Sequence, residues 1–111
     1  MIVHDLETMK GGWFIGAFEP TCLATQDFEV AVKRYQAGSR ETPHVHRVGR
    51  EFTVIVEGHA RINGRDYRAG AILDIPPGEA TAFEAVTDVL TVVVKTPSVA
   101  GDKYPVEIPL P

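Results

Sequence analysis

The chain has 111 residues, 44% of them hydrophobic and 23% charged, with a formal net charge of −4. That length supports one domain and not two. The acidic balance, with no basic run longer than Lys33-Arg34, argues against nucleic acid or an anionic membrane surface as the main partner, because both are held through clustered Lys and Arg.

A single cysteine, Cys22, excludes a disulfide within the chain and a Cys-rich zinc site, and a small buried apolar role is expected for it. No stretch approaches the roughly 18 apolar residues of a membrane span. The opening MIVHDLETMK has acids and no apolar core, unlike a signal peptide. A cytoplasmic location is therefore the default expectation.

In chain order, residues 5–10 have room for one helical turn at most. Strand signals follow over 13–18, 28–35, 52–56 and 89–95, with weaker ones over 60–62, 66–68, 71–75 and 81–85, each broken by Gly, Pro, Asn or Asp. Phe28, Val30 and Val32 alternate with Glu29, Ala31 and Lys33, the pattern of a strand with one wet face. Asn63-Gly64 joins two of the weaker runs and predicts a type I′ hairpin. The segments 52–56 and 89–95 are apolar on both faces, so they need cover inside and outside the sheet. A second copy of the chain, giving a homodimer, or a terminal segment folded over the sheet would supply the outer cover. From Thr96 onward the chain carries Pro97, Pro105, Pro109 and Pro111 and is expected to run extended across the surface or fray. Many short strands with little helix predict an all-β sandwich or barrel, here a single domain over 1–111 with its barrel core at about 12–96 and a tail over 97–111.

The chemistry concentrates at His44 and His46. In an extended strand, side chains at i and i+2 share a face roughly 6.5–7 Å apart, and two imidazoles so placed can converge on one ion at about 2.0–2.2 Å from each nitrogen. If Val48-Gly49-Arg50 turns the chain, Glu51 can face the same point from the neighbouring strand. Two histidines and a carboxylate are the ligand set of open non-haem metal sites. The opposing reading is a chance His-x-His with both rings in solvent. His4 and His59 need no role, and His59, beside Gly58, is expected at the surface. Trp13 reads as a core or interface aromatic. Tyr35, with Lys33 on the same face, is placed at a pocket mouth.

The segment GSRETPHVHRVGREFTVIVEG sets Gly38, His44, His46, Glu51 and Gly58 at the spacings of the first cupin motif. GAILDIPPGEATAFEA resembles the second, with Gly70, Pro76 and Gly78 in place. The resemblance covers 38–85 and implies a cupin double-stranded β-helix, or jelly-roll barrel, with His44, His46 and Glu51 binding a divalent transition metal (Fe, Mn, Ni or Zn). The chain departs from the motif where a third histidine is usual: Thr81 stands there, and Ala85 replaces the closing asparagine. A neutral hydroxyl is a poor ligand for these metals, so Thr81 is expected to line the pocket and the site to offer three protein ligands. Glu79, in a turn, is not expected to substitute.

Three functions compete. The first is a metal-dependent oxygenase, isomerase or lyase acting on a small polar molecule. The second is a metal-free sugar or small-ligand cupin with His46 as base and Glu51 orienting it. The third is a non-catalytic ligand-binding accessory domain. The fold alone does not choose among them.

Overall fold

The computed structural model describes residues 1–107. Among the described residues ten strands form the framework: β1 Trp13–Ile15, β2 Glu29–Tyr35, β3 His44–Val45, β4 Arg50–Glu57, β5 His59–Ile62, β6 Arg65–Arg68, β7 Ile72–Ile75, β8 Phe83–Ala85, β9 Val89–Thr96 and β10 Tyr104–Pro105. A five-stranded sheet runs β1-β2-β9-β4-β7, a three-stranded sheet β6-β5-β8, and β3 pairs with β10. All the strand pairs are antiparallel. Facing sheets of this kind, with long crossings between them, make a jelly-roll barrel. The one-turn segment at the start is a 3-10 turn, Leu6–Thr8, whose first N–H groups include that of Glu7, donated to the Asp5 carboxylate at 3.0 Å.

The hairpin expected at Asn63-Gly64 joins β5 to β6, with φ of 52° and 78° at the two residues. Those values are the positive pair a type I′ turn requires. Ile55, Ala60, Ile62, Ala85 and Val89 form the apolar core at one end of the barrel, and the other end is the polar pocket described below.

Alternation is observed on β2, but its polar face is the inner one. Glu29 is buried at 8% exposure and pairs with Lys95 of β9 at 3.0 Å. Val30 and Val32 face outward. Register places Val32 beside Val92, Val92 beside Val54 and Val54 beside Ile72. A row of four aliphatic side chains therefore crosses the outside of four strands, and Ile72 is 67% exposed. Among the described residues no helix is long and apolar enough to cross a membrane.

The tail does more than run across the surface. Tyr104–Pro105 pairs with His44–Val45, and Asp102 is buried at 7% exposure. Residues 108–111, with Pro109 and Pro111, lie outside the described residues. Two further expectations are corrected. Cys22 is exposed, on a connection that hydrogen-bonds back to Phe14 at 2.7 Å. His59 is largely buried, its side chain 15% exposed and 3.1 Å from Asp66, because it opens β5 where Thr87 and Val86 close over it through hydrogen bonds to the His59 backbone.

Candidate metal centre

His44 and His46 sit at and just beyond β3, both buried at 6% and 5% exposure. Their rings lie 5.0 Å apart between centroids. Glu51 comes from β4 of the five-stranded sheet, and β3 and β4 are not paired. The expectation of a neighbouring strand is thus corrected: the turn over 46–49 carries the chain from one sheet to the other, and the carboxylate meets the imidazoles across the barrel. One ligand atom from each of His44, His46 and Glu51 lies within 4.8 Å of the others. An octahedral ion with bonds of about 2.1 Å spaces its neighbouring ligand atoms by about 3 Å and its opposite ones by about 4 Å, so a small inward shift of the side chains would let the three share one.

Each donor is oriented. His44 Nδ1 contacts the Thr42 carbonyl at 3.1 Å, and His46 Nδ1 contacts the Asp102 carbonyl. Carbonyls only accept, so each Nδ1 donates, and in a neutral ring Nε2 is then the nitrogen that carries the lone pair. That is the tautomer in which an imidazole binds a metal, with its second nitrogen held by an outer partner. Thr53 donates its hydroxyl to Glu51 Oε2 at 2.8 Å, which leaves Oε1 to the site.

His46 Nε2 lies 3.2 Å from Glu51 Oε1, yet it is buried without a hydrogen-bond partner among the described residues. An imidazole nitrogen and a carboxylate oxygen this close need a positive charge with them, either a proton on the ring or a metal ion. The residues present therefore fit a divalent metal. Burial alone would push the Glu51 carboxyl up, but contact with His46, the Thr53 hydrogen bond and the Lys95 charge hold it below the usual carboxylate range. Burial pushes the His44 imidazole down, against its bond to Thr42. Both groups are thus biased toward their metal-binding protonation states.

Solved structures share this architecture, although no protein-family model and no curated protein matches the chain. A conserved protein with a double-stranded β-helix domain from Klebsiella pneumoniae is 26% identical, covering 76% of this chain and 78% of that one at a TM-score of 0.68. KdgF from a Halomonas species is 21% identical over 68% of this chain and 74% of its own, with a TM-score of 0.64. An RmlC-like cupin from Shewanella frigidimarina is 18% identical over 68% and 70%, with a TM-score of 0.62. The chain shares their double-stranded β-helix fold.

Within this barrel, a cavity of about 340 Å³ opens on the three residues and is also lined by Thr81 and Tyr35. Thr81 exchanges two backbone hydrogen bonds with His44, at 2.9 and 3.0 Å. Residues paired in this way present their side chains to the same face, so Thr81 stands beside His44. Glu79 is exposed in the turn before it. Tyr35 donates to Glu41 at 2.6 Å and packs tilted, at 40°, against Phe83 with ring centroids 4.5 Å apart. Burial, and then the Glu41 carboxylate, raise its pKa far above the ordinary phenol value.

Asp102 is the participant that sequence reasoning missed. Its carboxylate accepts from the backbone N–H of Arg47 at 2.8 Å, of Gly49 at 2.7 Å and of Val48 at 3.2 Å, while its carbonyl holds His46. One tail residue thereby fixes both the turn between the ligands and one of the ligands. No local pattern marks it, because the partners lie 53 to 56 positions away.

Proposed function

We propose that the protein is a metal-dependent enzyme acting on a small polar molecule, with one Fe, Mn, Ni or Zn ion held by His44, His46 and Glu51. The observation that carries this reading is the convergence of two oriented Nε2 atoms and a carboxylate, one of those nitrogens being buried and unpartnered. When bound, such an ion supplies Lewis acidity and open coordination positions. The chain's own residues do the rest. Asp102 and Thr42 orient the imidazoles, and Thr53 fixes the carboxylate. Oxygenase, isomerase and lyase chemistry are all compatible with three protein ligands.

The metal-free alternative needs a histidine base with a free nitrogen facing substrate. His46 donates Nδ1 to the Asp102 carbonyl, and its Nε2, 3.2 Å from Glu51, has no hydrogen-bond partner among the described residues, so metal content decides between the two readings. Metal analysis of protein purified without added metal or chelator is the test. About one equivalent is expected by the three-ligand stoichiometry, and it should vanish in a His44→Ala, His46→Ala double variant. The same trace in both proteins would refute the proposal.

We also propose that the protein is a two-fold homodimer through the outer face of the five-stranded sheet. The face bearing Val32, Val92, Val54 and Ile72 is apolar and uncharged along its centre. In an isologous interface a patch meets its own copy, and an uncharged patch has nothing there to repel it.

A further inference from the structure

Among the described residues, one cation of the barrel interior lacks a counter-charge. Lysine is rarely buried unless paired. Lys95 has its pair in Glu29, which also accepts from the Ser98 hydroxyl at 3.2 Å. Lys33, on the same inner face of the sheet and half-buried, has no carboxylate within ion-pair distance among the described residues. Its ammonium lies 5.3 Å from the Trp13 ring centroid, and that of Lys95 lies 4.9 Å from the same ring. All three side chains line the cavity that holds His44, His46 and Glu51.

We propose that Lys33 anchors the carboxylate of a small organic acid, whose reacting end faces His44, His46 and Glu51. The inference deepens the metal-enzyme reading and rests on it for the reacting end; the anionic end stands on Lys33 alone. Burial lowers the ammonium's pKa, opposed by the Glu41 and Glu51 carboxylates and reinforced by Lys103 and Lys95. The ammonium is therefore partly desolvated without a direct ion pair, and an arriving anion restores what it lost on leaving water. A single ammonium suits a carboxylate better than a phosphate dianion, which typically recruits an arginine fork or several N–H groups. Ile62, Leu73, Ile75 and Phe83 line the same cavity and suit a short carbon body.

Trp13 is the only tryptophan in the chain, so its fluorescence reports on this wall directly and needs neither metal nor turnover. The protein, chelator-treated and zinc-loaded, is titrated at fixed ionic strength with succinate against succinamide and with benzoate against benzamide. At least one acid is expected to give a saturable change at a concentration tenfold or more below its amide. Lys33→Met should abolish that preference and Lys33→Arg keep it, with zinc stoichiometry unchanged in both. If neither acid outcompetes its amide in wild type, a comparison that involves no variant, the anchor is overturned; so too if Lys33→Met retains the preference. An acid response equal in chelated and zinc-loaded protein supports the anchor while counting against the metal as the second point of attachment. Failure of the metal reading is thus separable from failure of this one.

Discussion

Replacing Asp102 with alanine removes the acceptor for three backbone N–H groups in the turn that joins β3 to β4. Only the Gly49 donor makes a fully buried bond; those of Arg47 and Val48 are half-buried and can turn to water. Orphaning a buried donor costs about 2 kcal/mol, and each water-exchangeable bond about 0.5 kcal/mol. The expected loss is about 3 kcal/mol, or about 12 °C in Tm for a domain of this size. The effect should depend on pH in a defined direction. Burial would raise the Asp102 carboxyl, but the N–H groups of Gly49, Arg47 and Val48 outweigh it and depress the folded-state pKa. Its contribution is therefore fully present above the unfolded value of about 3.9 and is lost as the pH falls through the lower folded value. Urea unfolding of wild type and Asp102→Ala should show a constant gap from about pH 8 to pH 5 that closes in stronger acid. Because the same residue steadies His46, metal affinity should also fall about 10- to 100-fold, as when other outer partners of a metal-binding histidine are lost. A variant within about 1 kcal/mol of wild type at pH 7, or a gap that stays constant into acid, would refute the assigned role.

Other residues give separate checks. Thr81→His should tighten metal retention at least about tenfold, a gain of about 1.4 kcal/mol, measured by competition with a chromophoric chelator; no change would mean that position 81 does not face the site. Gly58 has φ of +94°, and a Cβ there would stand 2.1 Å from the Asp88 carbonyl oxygen. Gly58→Ala should therefore cost at least about 3 kcal/mol in chemical denaturation, and a near-neutral result would contradict the packing at the β4–β5 corner. Light scattering at micromolar concentration should return twice the chain mass of 12.1 kDa, with Val92→Arg monomeric, whereas a monomeric wild type would rule out the dimer.

The strands and the grouping of His44, His46 and Glu51 were legible in the sequence because both rest on short-range signals. Asn63-Gly64 specifies its turn through backbone conformation alone, and His44-x-His46 is a strand-period pair whose spacing needs no partner to be read. What it carried poorly was the direction of each face. Alternation along β2 has the same period whether Val30 or Glu29 points inward, and a barrel with a polar cavity and an apolar outer sheet reverses the usual sign. Lys33 was legible with Tyr35 at a pocket mouth, but the burial of Glu29 on that same face was not. Asp102 and the pairing of β10 with β3 depend on contacts across about half the chain. A proline-rich tail suggests an extended path without saying what it crosses. Cys22 and His59 depart from general burial tendencies for a related reason, since each is placed by the elements around it rather than by its own chemistry.

The central claim is most directly tested by anomalous diffraction at the cobalt edge from crystals of the Co(II)-loaded protein. The account predicts one peak inside the barrel, about 2.0–2.2 Å from Nε2 of His44, Nε2 of His46 and a Glu51 oxygen. A peak bound elsewhere, or one that engages only one of these side chains, would contradict it.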